Sequence, residues 1–451
     1  MEQRKTKNKE VGTKMRKGNR SVMRAALMSA LVGILSVGLP AAHAEVDLKE
    51  VADKLTIGAE VRNRYETLDN YDFNDAVLDE NSRIFLRTRV RMKFDATPDI
   101  TAFVEVQDSR RWGDETSTAS DDAGVDLHQG YGEVRNILGF PVDIRVGRQE
   151  LSYGSERLIG AFGWSNTGRS FDADKITVHL NSFDVELFGA IVSDEARSDN
   201  DHTLWGIVGK YTGSKTLKFQ PYLFFDRDGR DSYVDEGGNA GKLKEYTAGA
   251  WLFWDVNDRF RIDLEGAKQF GDRGNDDISA WAGHLGARYT FPSSTWKWEI
   301  SGEGNIASGD VNPTDRTLET FDLNNNYPTN HNKYGYADLF AWKNMEDYRA
   351  GIAFHPFART RVSVDYHYFR LNELNDAWYR ANGMVLNGLV GGTFTGNRKM
   401  GDEVDLLIKH KYNDHLDFLG GWSVFLPDKV LPATGTSDNA NFFYLQSRYR
   451  F

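Results

Sequence analysis

Apolar and polar residues alternate with period two along most of this chain. The clearest stretch is 84–94, where Ile84, Leu86, Thr88, Val90, Met92 and Phe94 fall on one face and Arg87, Arg89, Arg91 and Lys93 on the other. Successive side chains of a β-strand point to opposite faces, so this segment predicts a strand that is apolar on one side and cationic on the other. The same alternation predicts eighteen strands, near 54–66, 81–95, 99–110, 126–136, 141–150, 174–180, 183–193, 203–213, 216–227, 244–255, 259–270, 277–291, 295–307, 344–355, 358–371, 401–413, 415–426 and 441–451.

The connectors alternate as well. Short ones, such as Ala96-Thr97-Pro98-Asp99, Asn181-Ser182, Pro292-Ser293-Ser294 and Asn413-Asp414, carry residues suited to tight hairpins. Long polar ones cover 67–80, 111–125, 151–173, 228–243, 308–343, 372–400 and 427–440. Strict short-long alternation predicts an up-and-down membrane barrel, with turns toward the periplasm and loops outside. An even strand number returns both termini to the same side. The final strand fits: Phe443, Leu445, Tyr449 and Phe451 alternate with Tyr444, Gln446, Arg448 and Arg450, and the chain ends on an aromatic. Such an ending resembles the signal by which outer-membrane barrels are handed to their insertion machinery. A secreted propeller or β-helix would need a repeat of fixed period, and none is present. The predicted fold class is all-β, a closed antiparallel transmembrane β-barrel of about eighteen strands.

Residues 1–44 read as a leader. Nine basic residues in the first twenty-four are followed by an apolar run, Ala25 to Leu39, and a small-x-small site ending at Ala44. This is the pattern of a cleaved secretory signal peptide, which leaves residues 45–451 as the barrel. Removing its nine basic and two acidic residues takes the formal charge from −11 to −18. So acidic a chain lacks the basic footprint of a nucleic-acid partner. The absence of cysteine excludes thiol catalysis and Cys-ligated metals. Mean hydropathy is −0.55, a value typical of soluble proteins. A barrel explains it, because only every second residue faces lipid.

No histidine pair, nucleophile elbow or phosphate loop has a suitable context, so the chain is not expected to be an enzyme. The clusters of glycine around Gly271-Asp272-Arg273-Gly274 read as loops. The chemistry lies instead on the inward faces. Alternation turns inward Glu60, Arg62 and Arg64; Arg87, Arg89 and Arg91; Glu105 and Gln107; Gln129, Tyr131 and Glu133; and Arg145, His284 and Arg288. Arg148 joins them if Gly147 bends its strand. Most inward charges suit mixed ladders that brace the wall. Arg62, Arg64, Arg87, Arg89 and Arg91 differ, because five arginines on two neighbouring strands exceed the acids that alternation brings within reach. Surplus cations lining a pore select anions, and the guanidinium fork suits carboxylates. Acids in the long connectors, among them Asp69, Asp72, Asp75, Asp121 and Asp122, offer oxygen for a structural Ca²⁺ or a bridge to lipopolysaccharide. Solvated surface is the simpler reading, and no cofactor is expected.

Several stretches resemble the alginate-export family of outer-membrane proteins. They are Gly147-Arg148-Gln149-Glu150-Leu151 with Tyr153-Gly154, Arg157 and Arg169-Ser170-Phe171-Asp172; Asp126-Leu127-His128-Gln129; Tyr327-Pro328-Thr329-Asn330-His331 with Tyr334-Gly335-Tyr336-Ala337-Asp338; and Ser308-Gly309-Asp310. Their order and spacing cover nearly all of the mature chain. The resemblance implies an eighteen-stranded barrel whose arginine-rich conduit exports an anionic uronate polymer. It carries the cationic lining to Arg62, Arg87, Arg89, Arg148 and Arg288, and the acidic partners to Glu105, Glu133 and Asp172. It also implies a plug, from loop 308–343 or a periplasmic turn. The alternatives are a general or small-anion-selective porin, and a barrel enzyme or adhesin acting through its loops.

Overall fold

The computed structural model describes residues 52–119, 124–195, 200–292, 296–322, 327–386, 389–391, 394, 396–428 and 438–451. The leader, Asp121, Asp122, Ser293 and Ser294 lie outside the described residues. The strands are β1 Leu55–Asp69, β2 Asn81–Asp95, β3 Ile100–Arg111, β4 Val125–Val134, β5 Val142–Gln149, β6 Phe171–His179, β7 Phe183–Ser193, β8 His202–Tyr211, β9 Leu217–Val234, β10 Ala240–Asp255, β11 Phe260–Arg273, β12 Asp276–Thr290, β13 Lys297–Ala307, β14 Thr317–Leu318, β15 Met345–Phe357, β16 Thr360–Arg370, β17 Lys399–Lys411, β18 Leu416–Pro427 and β19 Ala440–Arg450.

Each strand pairs antiparallel with the next, and β1 pairs with both β2 and β19, so the sheet closes on itself. The two-residue β14 stands outside the ring, pairing parallel with β12, while β13 pairs directly with β15. The result is the eighteen-stranded closed antiparallel barrel that the alternation predicts. Closure matters because an open edge in lipid would leave a row of unpaired N–H and C=O groups.

Register fixes the two faces. Arg62 stands opposite Arg87 and Val61 opposite Thr88, so a one-residue slip would invert the whole pattern. The outer wall presents Ile57, Met92, Leu223, Leu264, Leu285, Ile300 and Ile352, all exposed. Aromatic rings gather in two belts. Phe225, Tyr246 and Phe270 stack at centroid spacings of 4.5 and 5.3 Å toward the long-loop rim. Trp296 and Trp298 pack on Phe354 at 5.4 and 4.9 Å near the short-turn rim. Apolar wall and flanking rings are what a lipid bilayer selects.

The connectors are less regular than their sequence suggests. The segment 228–243, expected as a loop, is mostly strand: β9 runs on to Val234 and β10 starts at Ala240, leaving only Asp235–Asn239 as a turn. On the same rim, β11 reaches Arg273 and a two-residue turn, Gly274-Asn275, leads into β12. Gly271-Asp272-Arg273 is therefore strand, not loop. These strand tips lack a hydrophobic alternation to read.

Four other connectors send residues inward. Phe73 from the β1–β2 loop, Leu158 and Ile159 from the β5–β6 loop, Tyr334, Phe340 and Trp342 from the β13–β15 loop, and Trp378 from the β16–β17 loop are buried together with the strand residues Phe369, Phe425 and Tyr444. Phe340 lies flat on Phe369 at 4.0 Å and against Trp378 at 4.9 Å. Trp378 donates its indole N–H to Leu339 O at 2.9 Å. The long-loop half of the barrel thus has a hydrophobic core of its own.

Removing Phe340 tests that core. Phe340→Ala should weaken it by about 3–5 kcal/mol, the range for buried aromatic truncation. Limited proteolysis should then cut within 327–343 or 371–398, while the barrel keeps its folded mobility on unheated gels. Unchanged protease resistance would show that ring packing does not hold these loops.

Candidate functional site

The arginines predicted on β1 and β2 do face inward, and they converge on one segment. The β5–β6 loop, residues 150–170, crosses the interior and presents its backbone carbonyls to them. Arg62 donates to Gly163 O at 2.8 Å, Ser165 O at 2.9 Å and Asn166 Oδ1 at 3.4 Å. Arg87 donates to the same two carbonyls at 3.2 and 3.1 Å. Arg64 donates to Trp164 O at 2.6 Å and lies over the Trp164 ring at 3.7 Å. Arg89 reaches Thr167 O at 3.3 Å. Gly168 is left-handed here (φ +71°), and a Cβ on it would sit 2.5 Å from Arg89 Nη2. Glycine lets this inner loop lie against the guanidinium.

Acids meet the same arginines. Glu66 pairs with Arg64 at 2.5 Å, Glu60 with Arg87 at 2.7 Å, and Glu105 and Glu150 approach Arg89 at 3.4 and 3.3 Å. The cationic surplus expected of these strands is therefore smaller than the inward pattern suggests. Glu66 and Glu150, the last residues of predicted strands 54–66 and 141–150 and not among the inward residues named from the sequence, supply part of the balance, and the loop carbonyls supply the rest. Arg91 is the exception. Its side chain is 45% exposed and its nearest carboxylate, Glu105, is 3.9 Å away.

The inner loop is tied on its other side too. Arg157, 2% exposed, reaches across to Glu303 at 3.1 Å and Asn305 at 3.4 Å on β13. Ser155 donates to Glu265 at 2.5 Å on β11. Arg169 donates to Gly160 O at 3.0 Å and also binds the carbonyls of Tyr327 and Pro328. Burial pushes the Arg169 guanidinium down to about 10, so it stays charged at neutral pH and ties the inner loop to the β13–β15 loop. Trp164 stacks on His331 at 3.7 Å across the same boundary. Two loops thus form one plug. The segment 308–343 contributes as the family resemblance implies, and the β5–β6 loop is the part that the sequence reading missed.

The other predicted residues divide. Arg145 faces inward and pairs with Glu133, donating from Nε at 2.6 Å, and lies over the Tyr131 ring at 4.4 Å. Arg288 faces inward on β12, opposite Arg261 and Ser301, with no carboxylate within 4.0 Å among the described residues. Arg148 and Asp172 are a correction. They pair with each other at 3.2 Å on the outer face, opposite Gly130 and Ile191, and Asp172 is 64% exposed. Gly147 does not turn Arg148 inward. It keeps the alternation and lies so close to β4 that a Cβ would sit 2.3 Å from Gly130 O.

The sequence profile for alginate export matches residues 53–444. The chain belongs to the alginate-export family. No curated protein matches it in sequence. Among solved structures it is similar to the outer membrane protein OprD from Pseudomonas aeruginosa, at TM-score 0.55 and 12% identity over 88% of this chain and 94% of that one. It is similar to OpdO of the same organism at TM-score 0.56 and 12% identity, covering 89% and 98%. OccK11 (OpdR), also from that organism, matches at TM-score 0.56 and 11% identity, covering 88% and 96%. Identities this low speak for the fold. Family and fold together make this an outer-membrane channel of a Gram-negative bacterium.

In this alginate-export barrel the short turns are then periplasmic and the plug fills the extracellular half. Below the plug, Arg91 on β2, Arg261 on β11, Arg288 on β12, Arg361 on β16, Lys409 on β17 and Arg448 on β19 face the interior. Some are paired: Arg361 with Glu299 at 3.1 Å and Arg448 with Asp417 at 3.1 Å. Lys409 stands directly across from Arg361 in the register, and its electrostatic neighbours include Arg288.

Replacing Arg62 and Arg87 by Ala should free the inner loop. Each lost charged hydrogen bond is worth about 1.5–3 kcal/mol, so amides 160–168 should exchange at least roughly 10-fold faster. Lysine at both positions should not restore protection, because an ammonium lacks the fork that spans two carbonyls. Protection unchanged in the Ala variant would show that other contacts hold the loop.

Proposed function

We propose that this barrel conducts anionic, carboxylate-bearing solutes, and that its principal cargo is a uronate-type, alginate-like polysaccharide moving outward from the periplasm. The observation that carries the reading is the chemistry of the inner-loop clamp. Arg62, Arg64, Arg87 and Arg89 bond to neutral backbone carbonyls at 2.6–3.3 Å. A carboxylate brings a guanidinium a full negative charge and a bidentate fit, neither of which a single carbonyl offers. A polymer that carries a carboxylate on each sugar can therefore compete for these arginines and release the loop. Arg91 and Arg288, which have no close carboxylate partner, then form the periplasmic approach and draw anions toward the plug. Membership of the alginate-export family supports this cargo and this direction.

Exchange of partners gives the loop a gating role. With the loop bonded, the interior is filled by the two-loop plug. With carboxylates bonded, Gly163 to Thr167 lose their anchors on β1 and β2. Glu66, Glu60 and Glu105 stay beside Arg64, Arg87 and Arg89 as competing partners and keep the polymer from binding irreversibly. On this reading the chain carries solute and has no catalytic step.

A small-anion-selective porin is the second reading. The packed plug favours it, because small anions could pass around a loop that never moves.

Single-channel recording in planar bilayers separates the two. The reading predicts anion preference, and block by soluble uronate oligomers with residence times that lengthen with oligomer length. Arg91→Ala with Arg288→Ala should lower anion preference. Passage of small anions without oligomer block would favour the porin reading, and cation preference would sink both.

A further inference from the structure

Among the described residues, Glu105, His128 and Glu150 are the one set of three His or acidic side chains whose ligating atoms all lie within 4.8 Å of one another. His128 Nε2 is 2.8 Å from Glu150 Oε1 and 3.9 Å from Glu105 Oε1. Ligands about 2.0–2.2 Å from a shared tetrahedral ion stand about 3.5 Å apart, so small side-chain shifts would bring all three onto one centre.

Three features show that the cluster is built rather than incidental. First, a β-bulge places the histidine. Gln129 stands opposite Glu105 and Leu127 opposite Val106, so His128 is the extra residue, and it turns inward to 4% exposure. Bulges commonly re-aim one side chain at a site. Second, Glu105 is 3% exposed and its Oε1 has no hydrogen-bond partner. Arg89 and Arg91 approach this carboxylate only at 3.4 and 3.9 Å, beyond the roughly 2.7–2.9 Å of a charge-assisted hydrogen bond. A buried carboxylate oxygen without a partner calls for an ion or another donor. Gln107 Oε1 holds Arg89 Nε at 2.6 Å and Thr167 O holds Nη2 at 3.3 Å, so the guanidinium stays anchored when an ion takes Glu150 Oε1 and Glu105 Oε1 over from Nη1, which lies 3.3 and 3.4 Å from them. Third, Ser170 Oγ, from the far end of the loop, packs on the imidazole at 3.3 Å from Nδ1 and 3.5 Å from Nε2 and helps hold the ring in place.

We infer that Glu105, His128 and Glu150 bind a divalent transition-metal ion, with zinc the best match, and that the ion fastens the base of the inner loop to the wall. One imidazole with two carboxylates suits zinc, whereas calcium prefers oxygen alone and copper(I) prefers sulfur. The placement gives the ion its role. Glu150 is the first residue of the loop and Ser170 the last, while Glu105 and His128 stand on β3 and β4. Metal binding would join both feet of the loop to two strands.

The test is calorimetric titration of the detergent-solubilised full barrel with zinc chloride after chelator treatment. One zinc per chain should bind, and His128→Ala should weaken binding at least about 100-fold. Glu105→Gln, which preserves shape, should weaken it as well. His415→Ala, in an exposed turn, should bind as the parent does. Hydrogen exchange should show amides 150–170 more protected with zinc than without. Absence of stoichiometric binding in the parent, or equal binding in His128→Ala, overturns the site. Binding without added protection overturns its role in fastening the loop.

Discussion

Lipid offers no hydrogen-bond partner, so every N–H and C=O that crosses it must be paired within the protein wall. In this chain the requirement is met by closing the sheet between β1 and β19. Closure fixes the register, and register sends alternate side chains to opposite environments. An Arg on the lipid side would cost about 2–4 kcal/mol at the midplane, so the charges collect inside. A guanidinium inside a closed wall still needs oxygen around it. The inner loop provides that oxygen as a row of backbone carbonyls, from Gly163 to Thr167. The plug, the burial of the arginines and the proposed gate all follow from that pairing.

The clamp also explains why the plug is built from two kinds of contact. Toward β1 and β2, and through Arg157 and Arg169 on its other side, the inner loop is held by polar groups. Toward the β13–β15 and β16–β17 loops the interior is apolar and aromatic, with Phe340 between Phe369 and Trp378. Rings buried this way give a solute nothing to exchange with.

Much of the fold was legible because alternation is a direct imprint of the bilayer. All eighteen barrel strands stand where period two places them, and the inward faces of Arg62, Arg87 and Glu105 follow from the same rule. Legibility fails where the bilayer stops acting. The tips of β9 and β10 lack a hydrophobic alternation, so 228–243 reads as loop although most of it is strand. Arg148 was assigned inward on the expectation that Gly147 bends the strand, and the register instead keeps it outside opposite Asp172. The greatest loss concerns the inner loop. Backbone carbonyls carry no sequence signal, so nothing in Gly163-Trp164-Ser165 announces that arginines a hundred residues earlier depend on it. The bulge that aims His128 inward is hidden for the same reason, since it shows only as a shift of register between Glu105 and Val106.

The central claim is that the inner loop must leave the arginines for large solutes to pass. The chain contains no cysteine, so a single engineered disulfide can test it cleanly. Ser109 on β3 donates to Asn166 O at 2.7 Å, which brings the loop against the wall at that point. A channel carrying Ser109→Cys and Asn166→Cys should conduct like the parent when reduced. Oxidation should abolish polyuronate passage in liposomes and reductant should restore it. Equal polymer passage with the loop locked and unlocked would contradict the account.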